Sequence, residues 1–179
     1  MKSYAGIGSR EVPKEIQELI FKISRKLALE DWTLFSGGAI GCDFTFENGC
    51  DDVCGKKKIF LPWKDFGKKW KRKSCSSDIC SPSKEAISLV KDLANEYGDY
   101  LKESNDWYWL LLGRNMHQIL GEDLKKPVKS VICYTTNAQE VGGTRWAIRI
   151  AKKFNIEILN LGKIETKNRF EKWLNIQKS

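Results

Sequence analysis

The sequence predicts an α/β fold, a doubly wound and mainly parallel sheet with helices on both faces. Three observations carry that prediction. Short apolar runs alternate with longer stretches of helical periodicity along the whole chain. Glycine-rich turns follow three of these runs. A length of 179 residues with 41% hydrophobic residues suits one domain with a sizeable core.

The elements follow in order. Residues 4–7 (YAGI) predict a short buried strand. The turn GSREVP comes next, and Pro13 suits the first turn of a helix. Over 14–29, Ile16, Leu19, Ile20, Ile23 and Leu27 recur at helical spacing. Residues 32–36 (WTLFS) predict a second strand, and the glycine-rich turn GGAIGCD opens a helix through about Asn48. Residues 57–61 (KKIFL) predict a third strand that ends at Pro62. The stretch 63–82, rich in Lys, Cys and Ser, is the least regular part and reads as a basic insert. Ser83 caps a helix carrying Ala86, Leu89, Val90 and Leu93 on one face. A further helix spans about Asp106 to Leu120, then 128–134 (VKSVICY) predict a strong strand. A polar loop over 135–143 ends in Gly142 and Gly143, followed by a helix over 144–154, a strand over 156–160 and a helix over 166–176. No internal repeat or linker interrupts this alternation, so residues 1–179 are expected to form a single Rossmann-like domain.

Composition narrows the function classes. A charged fraction of 30% beside 7 Trp and 8 Phe argues against disorder, since disordered chains lack the aromatics that bury area. No apolar run approaches the roughly 20 residues of a membrane span. The N-terminal residues carry no signal-peptide pattern, so a cytoplasmic location and no membrane partner are expected. The net charge of +8 fits either an anionic partner or a solvated surface. The densest basic run is Lys64–Lys73, where Lys68, Lys69, Lys71 and Arg72 are interleaved with Trp70 and follow Trp63 and Phe66. Basic residues mixed with aromatics suit single-stranded nucleic acid; a lysine-rich surface loop has the same composition. Six cysteines without an export signal read as free thiols. The other reading is a four-thiolate zinc site from Cys50, Cys54, Cys75 and Cys80, although their spacing is looser than usual.

In such sheets, ligands bind outside the carboxyl ends of the strands. Three strand-to-helix turns bring small residues to that edge. In the first, Gly8 lets a phosphate approach the backbone, Ser9 offers a hydroxyl and Arg10 a bidentate guanidinium. The second runs Ser36, Gly37, Gly38, Ala39 to Gly41, where N–H groups at a helix start favour an anion. The third is Gly142, Gly143, Thr144, Arg145. Together they predict a phosphate or nucleotide site. Asp43 and Glu47, four apart, share a helix face. Either is a candidate for ribose contact, for general acid–base work, or for a local cap or ion pair. Arg114, Asn115 and Gln118 follow the apolar run WYWLLLG and suit side chains that reach back to the pocket. His117 is the only histidine, so no Ser-His-Asp arrangement or histidine metal cluster can be assembled. No cofactor is expected.

The order of these motifs, GSR at Gly8–Arg10, SGGAxGxD at Ser36–Asp43, the pair Arg114–Asn115 and GGT at Gly142–Thr144, resembles the Rossmann domain of DNA-processing protein A (DprA). More broadly it resembles the SLOG superfamily, which includes LOG-type phosphoribohydrolases. It is most like small stand-alone DprA-like proteins of bacteriophages, through AGIGSRE at Ala5–Glu11, LPW at Leu61–Trp63, RNxHQxLG at Arg114–Gly121 and GGTxxAIxIA at Gly142–Ala151. The resemblance implies a nucleotide-derived ligand: a small signalling nucleotide held without turnover, single-stranded DNA, or a nucleotide cut at its N-glycosidic bond. It implies a homo-oligomer as well. Carried over by position, Gly8, Ser9, Arg10, Ser36, Gly37, Gly38, Asp43, Arg114, Asn115, Gly143 and Thr144 would line the site. The LOG-type motif places a glutamate after its GGxGT turn, whereas this chain continues Arg145-Trp146-Ala147. The cysteine-bearing segment 68–80 has no counterpart in the resemblance.

Overall fold

The computed structural model describes residues 2–67, 78–99 and 105–175. Six parallel strands and six helices make up these segments. In chain order they are β1 (Ser3–Gly8), α1 (Lys14–Leu29), β2 (Thr33–Ser36), α2 (Cys42–Asp51), β3 (Lys57–Leu61), β4 (Asp78–Cys80), α3 (Lys84–Glu96), α4 (Asp106–Leu120), β5 (Ser130–Tyr134), α5 (Thr144–Lys153), β6 (Glu157–Asn160) and α6 (Ile164–Asn175). A 3-10 turn, Thr136–Ala138, follows β5.

The sheet order is β4-β3-β2-β1-β5-β6, every pairing parallel. The chain therefore lays β2, β3 and β4 outward on one side of β1, then returns to place β5 on the other. Tyr4 faces Leu34 of β2 and Ser130 of β5 across the two ladders. The crossovers part at β1 and β5, and a crevice opens between the loops at their carboxyl ends.

Both faces are covered, and β1, β2 and β5 are buried along nearly their whole length. Side chains alternate across β1: Tyr4 packs with Ile20, Ile23 and Phe46 beneath α1 and α2, while Ala5 and Ile7 pack with Met116, Ile119 and Trp146 beneath α4 and α5. The Ile16-Leu19-Ile20-Ile23-Leu27 stripe is the buried face of α1, as the periodicity predicts. A buried polar link joins three elements on that side. The Tyr4 and Ser24 hydroxyls meet at 2.9 Å, and Ser24 donates to the Phe46 carbonyl at 2.6 Å.

Ser83 caps α3, its Oγ accepting the Ala86 N–H at 3.1 Å. One strand was not expected. β4 lies inside the segment the sequence leaves irregular and pairs with the end of β3, Ile59 to Leu61. Three residues around a single apolar Ile79 are too few to show a period of two.

Candidate functional site

A cavity of 570 Å³ occupies the crevice where β1 and β5 diverge. Five parts of the chain wall it: the end of β1 with Gly8, Ser9 and Arg10; Ala39 and Asp43 at the start of α2; Phe66 after β3; the Trp107–Gln118 side of α4; and the segment from Thr136 to Thr144 that leads into α5. On α4 the wall residues Trp107, Leu111, Arg114 and Gln118 fall at intervals of four, three and four, one stripe of the helix.

The second turn differs from an open N–H cradle, because the protein supplies its own anion there. Asp43, 3% exposed, takes the Gly37 N–H on its Oδ2 at 3.0 Å. Ser36 Oγ accepts the Gly38 N–H at 3.4 Å, and the Cys42 N–H goes to the Ser9 carbonyl at 3.1 Å. Gly41 turns the chain with φ of 86°, and a Cβ there would overlap both the Ser9 and the Arg10 carbonyl oxygens, so a side chain has no room. The first and second turns are thus locked together backbone to backbone.

Arg114 reaches into this arrangement from α4. Its Nη1 donates to the Gly37 carbonyl at 2.5 Å and lies 3.7 Å from Asp43 Oδ2. Gly37 is needed as glycine, since a Cβ there would overlap Arg114 Nη1 and stand 2.7 Å from Gln118 Oε1. Burial pushes the Asp43 carboxyl up to about 6, against the opposing pull of Arg114 and of the Gly37, Ala39 and Gly8 amides. Burial likewise lowers the Arg114 guanidinium below its ordinary range, while Asp43 and Glu47 resist.

Gln118 is fully buried, yet neither its Nε2 nor its Oε1 has a hydrogen-bond partner among the described residues. Arg114 Nε is in the same condition. Unpaired buried amides are costly and uncommon, and both of these side chains are on the cavity wall. The third turn closes on the same space. Asn115 Nδ2 donates to the Gly143 carbonyl at 3.4 Å. Gly142 and Gly143 have open space where a Cβ would stand, and Gly142 has φ of 60°. The Gly142–Thr144 turn at the N-terminal end of α5 therefore borders the cavity.

The structure thus brings Gly8, Ser9, Arg10, Ala39, Asp43, Arg114, Asn115, Gln118, Gly142, Gly143 and Thr144 onto one wall. Ser36, Gly37 and Gly38 stand behind it; Gly37 holds Asp43 by its N–H and Arg114 by its carbonyl, and Ser36 accepts the Gly38 N–H. Glu47 also lies behind, its Oε1 accepting the Ser36 hydroxyl at 2.7 Å. Arg145 is not on the wall; its guanidinium sits 5.4 Å from the Trp146 ring. Trp107, Tyr108, Leu111 and Val141 are wall residues that the motifs do not single out, and Phe66, one of the aromatics of the basic stretch, joins them.

His117 has a structural task. The Ser83 N–H donates to its Nε2 at 3.1 Å, so the ring proton belongs on Nδ1, which faces the Gly121 carbonyl at 3.1 Å. The ring stacks on Phe60. Cys50 is buried, its thiol pushed up to about 11 by burial and the nearby Asp51, and Cys54 is exposed. Cys75 of the thiolate reading and the basic residues Lys68, Lys69, Lys71 and Arg72 lie outside the described residues. No cluster of three or more metal-binding side chains occurs among the described residues. No described helix is long and apolar enough to cross a membrane.

No protein-family profile matches the chain, and no curated protein sequence does. Solved structures do match in shape. DNA processing protein A from Helicobacter pylori, described for its single-stranded DNA binding mode, aligns over 98% of this chain and 79% of its own, with a TM-score of 0.58 and 18% identity. The molybdenum cofactor carrier protein from Chlamydomonas reinhardtii aligns over 97% and 85%, with a TM-score of 0.54 and 12% identity. DNA processing protein A from Streptococcus pneumoniae aligns over 98% and 56%, with a TM-score of 0.55 and 16% identity. At these identities the likeness is one of fold, and the chain has the Rossmann-like α/β architecture that these proteins share.

Proposed function

We propose that the cavity binds a nucleotide-derived ligand by its phosphate and holds it without chemical turnover. The observation that carries this is the open turn Gly142–Thr144 at the start of α5. Its backbone faces a 570 Å³ space that Arg10 and Arg114 also line. The Arg145 and Trp146 N–H groups are bonded to the Val141 and Gly143 carbonyls at 3.3 Å, so the Gly143 and Thr144 amides, the glycines that admit close approach and the guanidinium groups make up the phosphate-binding set. The volume lies within the range of small-molecule sites. Gln118, buried with an unpaired amide, gives a polar ligand a donor and an acceptor on the same wall.

The state of the ionisable groups favours binding over catalysis. Asp43 is held by the Gly37 amide and Arg114, Glu47 by Ser36, and His117 is engaged at both ring nitrogens. A protein of this kind serves as a sensor or a sink for a nucleotide signal. The motif resemblance to small phage proteins makes sequestration of a host immune nucleotide its setting. The second reading is single-stranded DNA binding, favoured by the +8 net charge and by the fold shared with DNA processing protein A.

A thermal-shift panel of nucleoside mono- and diphosphates, ADP-ribose, cyclic dinucleotides and a short DNA strand, at low and high salt, separates these readings. A native-state ligand raises Tm by mass action. The expected result is a salt-resistant shift with a small nucleotide that is recovered intact. A shift with the strand alone, abolished by salt, favours the DNA reading through counterion release. Recovery of free base and ribose phosphate would show a hydrolase and overturn the non-catalytic assignment.

A further inference from the structure

The phosphate reading leaves one end of the cavity without a task. Trp107 is 51% exposed and Val141 49% exposed, yet both line the same wall as the polar groups. Exposed apolar side chains gathered at a cavity mouth mark a surface that a ligand covers. Trp107 is the second residue of α4, and Val141 comes from the segment before α5. Tyr108 stands edge-on to Trp107, ring centroids 5.8 Å apart. Its hydroxyl accepts the indole N–H of the fully buried Trp146 at 3.2 Å, which fixes the tyrosine from behind.

These features give the cavity two chemically different ends. Along α4 the wall runs from Trp107, Tyr108 and Leu111 to Arg114, Asn115 and Gln118. Asn115 is tied to the open turn at Gly143. Trp107 lies eight residues earlier, about 12 Å along the helix axis, which leaves room for a sugar between. Inorganic phosphate or a bare sugar phosphate has nothing to place against an indole. A planar base does, because base–aromatic stacking needs only a π-face.

We infer that Trp107, supported by Tyr108 and joined by Val141, forms a nucleobase subsite, so that the ligand is a free nucleoside phosphate whose base stacks at the α4 end of the cavity. This rests on the phosphate reading above. Trp107 sets the preference for a base, and the Gly142–Thr144 turn sets the requirement for phosphate.

The test is calorimetric titration of adenosine monophosphate and of ribose 5-phosphate into the wild type, Trp107→Ala and Trp107→Phe. Stacking energies predict that the wild type binds adenosine monophosphate roughly 5- to 150-fold more tightly than ribose 5-phosphate. Trp107→Ala should abolish that preference and leave ribose 5-phosphate affinity unchanged, and Trp107→Phe should restore most of it. Trp107 is half exposed, so an unchanged Tm in both variants is expected. Equal affinity of the two ligands for the wild type would overturn the base subsite and leave the phosphate site standing. Binding of neither would overturn the phosphate reading itself. A DNA strand whose binding depends on Trp107, beside adenosine monophosphate binding that does not, would overturn the free-nucleotide assignment.

Discussion

Replacing Asp43 by Asn should change how stability depends on pH, with a sign that the structure fixes. In the folded chain burial pushes the Asp43 carboxyl from its ordinary 3.8 to about 6, outweighing Arg114 and the surrounding amides. A rise of that size corresponds to about 3 kcal/mol at 1.36 kcal/mol per pH unit. Below pH 3.8 the carboxyl is protonated folded and unfolded, and no penalty exists. Between 3.8 and about 6 the unfolded chain ionises first, so it holds fewer protons than the native state and stability falls as pH rises. Above about 6 both states are ionised and the penalty is constant. Asn has nearly the same shape and no such titration. Urea denaturation of wild type and Asp43→Asn across this range isolates the effect, because the exposed carboxylates common to both cancel in the difference. The variant should gain up to about 3 kcal/mol on the wild type between pH 4 and pH 7. A difference that stays flat, or that moves against the variant as pH rises, would show that the ion pair with Arg114 prevails over burial.

Three further outcomes follow from the packing. Gly37→Ala, which forces a Cβ onto Arg114 and Gln118, should cost about 1–3 kcal/mol in urea denaturation, the usual range for overpacking. Ser83→Ala removes the cap of α3 and should cost about 1 kcal/mol by the same measurement. His117→Ala removes the acceptor of the Ser83 N–H and opens space against Phe60, so a loss of about 1–3 kcal/mol is expected, with nucleotide affinity unchanged in calorimetry.

The sheet and its helices were legible because their signals are local. The stripe Ile16 to Leu27 and the apolar residues Ile59 to Leu61 ahead of Pro62 depend only on neighbours in sequence, and the boundaries of α1, β3 and α4 fall where the sequence puts them. The strand ends carrying glycine were also legible, and doubly wound topology alone sends three such turns to one edge. What the sequence did not show is how the second turn is filled. That depends on Arg114 meeting Gly37, 77 positions away, and on Asp43 folding back onto the Gly37 amide. A carboxylate after a glycine turn has the same pattern whether it meets a ribose or closes the turn itself. The aromatic end of the cavity had a usable signal: Trp107, Leu111, Arg114 and Gln118 share one helical stripe. The run WYWLLLG masks it, since an apolar run also reads as core.

Phosphate binding at the open turn before α5 is tested by Gly143→Asp. Gly143 has φ of −67° and open space at its Cβ position, so the new side chain brings a carboxylate to the cavity without strain or collision. Titration of adenosine monophosphate into wild type and variant, with Tm followed in parallel, should show saturable binding that weakens at least roughly tenfold in Gly143→Asp, from like-charge repulsion worth about 1.4 kcal/mol or more, at an unchanged Tm. Wild-type binding that the carboxylate leaves untouched would contradict the claim and place the phosphate elsewhere.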